Sequence, residues 1–93
     1  MNKYEMLYIL RADLTDEARD AVIAKFENIV KDAEGAVEKI DKWGVKKLAY
    51  EINYKSEGFY VLMTFACNPT VIAEIERVAN ITEEMLRRLV VKL

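Results

Sequence analysis

The sequence predicts an α+β sandwich in which two helices cover one face of a four-stranded antiparallel sheet. Four segments alternate apolar and polar residues with the period of two that is typical of strands. Two segments repeat apolar residues at the spacing of three and four that is typical of helices. These segments follow one another as β-α-β-β-α-β, and right-handed crossovers then give the strand order 4-1-3-2 with both helices on one face.

The first strand is predicted over residues 3–10, where apolar residues increase on both faces toward the end, as in a central strand. A helix then follows Asp13 and Thr15, which are both candidate N-caps. Its apolar positions share helical spacing, and they are Ala18, Val22, Phe26, Ile29, Val30 and Ala33. Gly35 is expected to end this helix in the left-handed conformation.

The second strand is predicted over residues 36–54, with a bulge or bend where Gly44 follows the large ring of Trp43. Its apolar positions from 48 onward fall on one face, which we expect to be buried, and they are Leu48, Tyr50, Ile52 and Tyr54. Residues 55–58 have the composition of a turn, so the third strand, over residues 59–67, should form a hairpin with the second.

The second helix is expected to begin at Asn68 and Pro69, a cap followed by a residue suited to the first turn, and to end near Asn80. Its apolar face consists of Val71, Ile72, Ile75, Val78 and Ala79. Residues 85–93 form the fourth strand, whose register the pattern leaves open. The whole is the ferredoxin-like sandwich, a single domain over residues 1–93.

The residue types exclude several kinds of catalytic or metal site. The chain has no histidine, one cysteine and three glycines, which leaves no ligand set for zinc, no thiol-imidazole pair and no glycine-rich phosphate loop. Cys67 is expected to be a small buried hydrophobe in a reduced, cytoplasmic protein. We therefore expect no catalytic residues, no metal, no cofactor and no membrane segment.

Aromatic residues and charge bear on nucleic-acid binding. Rings on the open face of such a sheet can stack on bases, but Tyr4, Tyr8, Phe59 and Phe65 are expected to pack in the core. The net charge is −2, yet it is unevenly distributed. The strands and their turns hold ten basic and five acidic residues, whereas the helices hold four basic and eleven acidic residues. This pattern is typical either of lysine-rich edge strands that are protected from stray pairing or of a basic sheet side that faces a polyanion.

The segment from Gly44 to Asn53, GVKKLAYEIN, resembles the signature of the bacterial small-subunit ribosomal protein six family. Similarity extends to both ends of the chain, through residues 3–5 and 87–92. Glu51 departs from the family, because many relatives have proline there.

The resemblance implies a non-enzymatic, cytoplasmic component of the ribosome that binds the central domain of small-subunit ribosomal RNA together with ribosomal protein eighteen. On that basis we predict that Lys3, Arg87, Arg88 and Lys92 contact RNA phosphate together. Lys46, Leu48 and Tyr50 are predicted to contact the partner protein.

Two other functions of this fold stay open. One is a ligand-binding or oligomerising regulatory module, which would form a stable homodimer and retain no RNA. The other is an acylphosphatase-like enzyme, for which Arg11 follows the first strand suggestively, although the glycine-rich phosphate loop is missing.

Overall fold

The computed structural model describes residues 1–52 and 55–93, and it confirms the predicted fold. The elements are β1 (Asn2–Arg11), α1 (Asp16–Asp32), β2 (Ala36–Ile52), β3 (Lys55–Cys67), α2 (Thr70–Ile81) and β4 (Met85–Lys92). The four strands form one antiparallel sheet in the order β2-β3-β1-β4, with β2 and β4 at its edges. No helix in the described ranges is long and apolar enough to cross a membrane.

The core lies between the sheet and the two helices. Even-numbered residues of β1 oppose odd-numbered residues of β3, so both sets point toward the helices. The aromatic residues expected in the core are buried there, at 0–8% exposure: Tyr4, Tyr8, Phe59 and Phe65. Cys67 is buried as predicted, and α2 buries Val71, Ile75, Val78 and Ala79 of its expected apolar face.

Helix α1 begins as predicted, because the Ala18 amide donates to the Thr15 hydroxyl at 3.1 Å. The expectation for its end was wrong. Glu34, and not Gly35, has the positive φ, at 62°. The amides of Glu34 and Gly35 donate to the carbonyls of Lys31 and Val30, which together make a Schellman motif. Gly35 is required for a different reason, since an added β-carbon would lie 2.7 Å from the Ala66 carbonyl oxygen.

The β2–β3 hairpin confirms the predicted bulge and corrects the predicted turn. The pairing with β3 shifts between Lys42 and Gly44, and Gly44 has a φ of 90°. Residues 55–58 are not a turn, because β3 already begins at Lys55 and pairs with Ile52. The predicted position of Tyr54 lies outside the described residues.

The pairing of β4 with β1 resolves the register that the sequence left open. Val90 lies opposite the buried Met6 and faces the helices, whereas Leu89 lies opposite Leu7 on the other face. At the start of α2, Pro69 has helical backbone angles and the Thr70 amide donates to Asn68 Oδ1 at 3.1 Å, which agrees with the expected cap.

Candidate functional site

The face of the sheet opposite the helices carries an uncovered apolar strip. Leu7 and Leu62 lie at its centre, because they oppose each other on the paired strands β1 and β3, and both are half-buried. Leu89 and Val91 of β4 continue the strip and are 59% and 44% exposed. Large apolar side chains that share one exposed surface are typical of an interaction site.

A groove of about 230 Å³ crosses this open face. Its lining residues are Leu7, Ile9, Leu48, Ala49, Tyr50, Tyr60, Arg87, Arg88 and Leu89. Gly58 lets β2 lie close over the sheet, since an added β-carbon would collide with Ile9 and lie 3.4 Å from Leu48 Cδ2. The end of β2 thereby forms one wall of the groove and β4 forms the other.

Two cations rest on aromatic rings at this face. The Arg87 guanidinium lies 5.5 Å from the centre of the Tyr50 ring, and the Lys46 ammonium lies 5.4 Å from the Trp43 ring. Neither cation has a carboxylate within 4.0 Å among the residues that the structure describes. Both charges are thus available to a ligand that brings negative charge.

The four residues predicted to contact RNA do not share one face. The pairing of β4 with β1 places Arg87 on the open face and Arg88 and Lys92 on the helix side. Lys3 is on the open face, where its ammonium lies 3.3 Å from Glu38. Arg88 binds Glu76 at 2.7 Å and Asn80 at 2.8 Å on α2. What the four share is the free edge of the sheet at β4 and its neighbour β1.

The structure brings together two of the three residues predicted to contact the partner protein. Leu48 and Tyr50 both line the groove, whereas Lys46 lies apart on Trp43. Tyr50 was expected on a buried face, but it is 57% exposed. Its contact with Arg87 also joins the two predicted sites, which the sequence placed at opposite edges of the sheet.

The basic residues of the strands do not gather on the open face, and they are divided between the two faces of the sheet. Basic strand residues on the open face include Lys3, Arg11, Lys39, Lys46 and Arg87, and those on the helix side include Lys42, Lys47, Arg88 and Lys92. This division follows from the strand period of two, which turns successive side chains to opposite faces. Charges counted by secondary structure therefore do not show which face is basic.

Periodicity and charge along the sequence did not identify the residues that give the open face its aromatic and apolar character. Trp43 was considered only as part of a bend, yet the bulge turns its ring onto the open face beside Tyr60. Leu89 and Val91 were left without a face because the register was unknown. In both strands the sequence did contain one indication. Large apolar residues stand at positions that strict alternation assigns to the solvent face.

The ionisable groups with shifted pKa values do not form a catalytic arrangement. Arg11 donates two hydrogen bonds to Asp13, at 3.1 and 2.9 Å, and these lower the pKa of that carboxyl group. Burial raises the pKa of the Cys67 thiol, which keeps it protonated. Within the described residues, no three His, Cys, Asp or Glu side chains are grouped to hold a metal ion.

Comparison with known proteins shows similarity along the whole chain. The family model described as ribosomal protein S6 matches residues 3–92. The small ribosomal subunit protein bS6 of Alkaliphilus metalliredigens is 43% identical over 93 residues, covering 100% of this chain and 98% of that protein. The bS6 protein of Caldanaerobacter subterraneus subsp. tengcongensis is 45% identical over 92 residues, covering 99% and 97%.

A solved structure agrees with these matches. The crystal structure of 30S ribosomal protein S6 from Thermotoga maritima has a TM-score of 0.93 to this chain at 26% identity. It covers 99% of this chain and 87% of the Thermotoga chain, so the strand order and both helices correspond. The chain therefore belongs to the ribosomal protein S6 family.

Proposed function

We propose that the chain is a structural component of the bacterial small ribosomal subunit, and that residues 1–93 act as one RNA-binding domain on the cytoplasmic ribosome. In this proposal it binds the central domain of small-subunit ribosomal RNA together with ribosomal protein eighteen. The observation that carries the proposal is the match of residues 3–92 to the family, whose bS6 members are named as small-subunit proteins.

RNA phosphate is proposed to run along the free edge of β4. Because β4 is an edge strand, side chains from either face can reach a backbone that follows this edge. Arg87 and Lys92 are exposed and have no carboxylate partner among the described residues, so they should contribute most. Lys3 and Arg88 must first exchange Glu38 and Glu76 for phosphate, which reduces their net contribution.

Ribosomal protein eighteen is proposed to occupy the groove on the open face. Leu48 and Tyr50 would meet an apolar side chain of the partner, with Leu89 on the opposite wall. Tyrosine is one of the residue types that dominate the energy of such contacts, and Tyr50 is 57% exposed at the groove. Lys46 would contact the partner only at the rim.

The test is assembly of the purified chain with ribosomal protein eighteen and a central-domain RNA fragment. We expect a ternary complex whose affinity falls as salt rises between about 50 and 200 mM. Arg87→Gln should reduce the slope of log affinity against log salt by about one. Lys39→Gln is a matched control on the far strand and should leave the slope unchanged. Failure to form any complex would refute the proposed function.

We further propose that the chain has no enzymatic activity. Arg11, the residue that suggested an acylphosphatase-like enzyme, is held in two hydrogen bonds by Asp13. Its guanidinium would have to leave that carboxylate before it could bind a substrate phosphate. Hydrolysis of an acyl phosphate that is abolished by Arg11→Gln would contradict this part of the proposal.

A further inference from the structure

The bulge in β2 presents a single exposed indole on the open face. Lys42 pairs with Val61 and Gly44 pairs with Tyr60, so Trp43 is the extra residue and its ring turns over the sheet. The ring centres of Trp43 and Tyr60 are 6.3 Å apart and the planes differ by 9°. Trp43 is 42% exposed, whereas Tyr60 is half-buried beneath it. The indole is thus supported on one side and accessible to solvent.

A cation without a carboxylate partner accompanies this ring. The Lys46 ammonium lies 5.4 Å from the centre of the Trp43 ring. Lys39 and Lys42 on the same strand are different, since they pair with Asp41 and Asp20, and the adjacent Lys47 lies on the helix side. Within the described residues, Lys46 has no such ion pair. Its flexible side chain can leave the ring for a phosphate without breaking a salt bridge.

We propose that the stacked Trp43 and Tyr60 rings and Lys46 form a site for one unpaired nucleobase and its adjacent phosphate in single-stranded RNA. The base would stack on Trp43 and the Lys46 ammonium would bind the phosphate. This inference rests on the proposed function and adds a second RNA contact, remote from the β4 edge. It assigns Lys46 to RNA phosphate in place of a rim contact with the partner protein.

Charge favours RNA over protein as the occupant of this site. Among residues 39–47, those on the open face carry two lysines, Lys39 and Lys46, and one acid, Asp41, which leaves a net positive charge beside Trp43. Lysine is depleted at the core of protein interfaces, whereas lysine beside an exposed ring is the usual composition of a single-strand binding surface. The groove proposed for the partner protein begins at Tyr60, which is one of its lining residues, and the rest of its lining is mainly apolar.

The fluorescence of the chain provides a direct assay, because Trp43 is its only tryptophan. Titration with a single-stranded oligoadenylate RNA should quench this fluorescence to saturation, since a stacked base deactivates the indole. An abasic oligomer with the same number of phosphates should bind weakly and leave the fluorescence nearly unchanged. Equal quenching by both oligomers would overturn the proposal.

Variants separate the stacking contact from the phosphate contact. Trp43→Leu should weaken oligoadenylate binding by roughly ten-fold or more, and Trp43→Phe should restore most of it. Lys46→Gln should lower the salt slope by about one. Lys47→Gln is the matched control, because Lys47 is the adjacent exposed lysine on the helix side of the strand. An equal effect of the two lysine variants would refute the site.

The same variants distinguish this inference from the proposed function. If Trp43→Leu assembles with ribosomal protein eighteen and central-domain RNA at unchanged affinity, the stacking site is wrong and the proposed function stands. If ribosomal protein eighteen alone quenches Trp43, and Trp43→Leu weakens that binary complex, the ring is a protein contact and the inference fails. If the complex forms and only its RNA affinity falls, the inference is supported.

Discussion

Replacement of Glu34 by glycine should stabilise the fold. Glu34 is exposed and occupies the left-handed position of the Schellman motif after α1, at a φ of 62°. A residue with a β-carbon loses about 1–2 kcal/mol in this conformation. Glycine removes that cost but adds about 0.4–1 kcal/mol of chain entropy to the unfolded state. The net expectation is that the free energy of unfolding rises by about 0.5–1 kcal/mol. For a domain of this size each kcal/mol raises Tm by about 4–8 °C, so Tm should rise by roughly 2–8 °C.

The measurement is equilibrium urea unfolding together with thermal unfolding followed by circular dichroism. Glu34→Gln is the matched control, because it keeps the β-carbon and removes the negative charge that the helix C-terminus disfavours. Any gain that Glu34→Gly shows beyond Glu34→Gln then reports the backbone conformation alone. A glycine variant that is no more stable than the glutamine variant would show that position 34 is not strained, and the reasoning would fail.

Three further expectations concern single side chains. The Tyr8 hydroxyl is buried and has no hydrogen-bond partner among the described residues, so Tyr8→Phe should stabilise the protein by about 1 kcal/mol in urea unfolding. Burial raises the pKa of Tyr8 above its ordinary value of 10.0. As pH rises above 10, the unfolded state loses this proton before the folded state does, so the free energy of unfolding declines. Tyr8→Phe should reduce that decline. The hydrogen bonds from Arg11 lower the pKa of Asp13 below 3.8. Their contribution to folding stability is therefore present above that pH and is lost as pH falls below it. Asp13→Asn should remove this contribution and weaken the dependence of stability on acid pH. Arg88 and Glu76 join β4 to α2, and a double-mutant cycle with alanine should give a coupling of about 0.5–1 kcal/mol.

Each of these expectations has an outcome that would contradict it. A loss of stability in Tyr8→Phe would mean that the hydroxyl is satisfied. An unchanged acid midpoint in Asp13→Asn would mean that the pair with Arg11 does not persist in solution. Additive effects of the Arg88 and Glu76 variants would mean that their contact contributes nothing to stability.

The layered charge pattern illustrates where counting along the chain fails. Strand segments are rich in lysine and arginine, but alternation sends Lys46 to the open face and Lys47 to the helix side. Lys42 also lies on the helix side, where it pairs with Asp20 of α1. Much of the basic charge therefore balances the acidic helices, and only a part of it is available on the open face.

The open face itself depends on contacts between strands that are distant in sequence. The positions of Leu89 and Arg87 follow from the pairing of β4 with β1, which no local pattern specified. Tyr50 meets Arg87 only because β2 passes close over Gly58 and bends across the sheet. Periodicity along the sequence contains no information on this contact, because the contact arises from the shape of the assembled sheet.

The sequence by itself determined the order and type of the six elements, the strand order and much of the core, including Tyr8, Phe26 and Phe65. These depend on local periodicity and on the few ways in which right-handed crossovers can connect such elements. Tertiary structure decided which face each cation occupies, which residue takes the left-handed position after α1, and which rings stand on the open face. The physical reason is that register and bulges shift side chains by one position, and one position in a strand is the difference between its two faces.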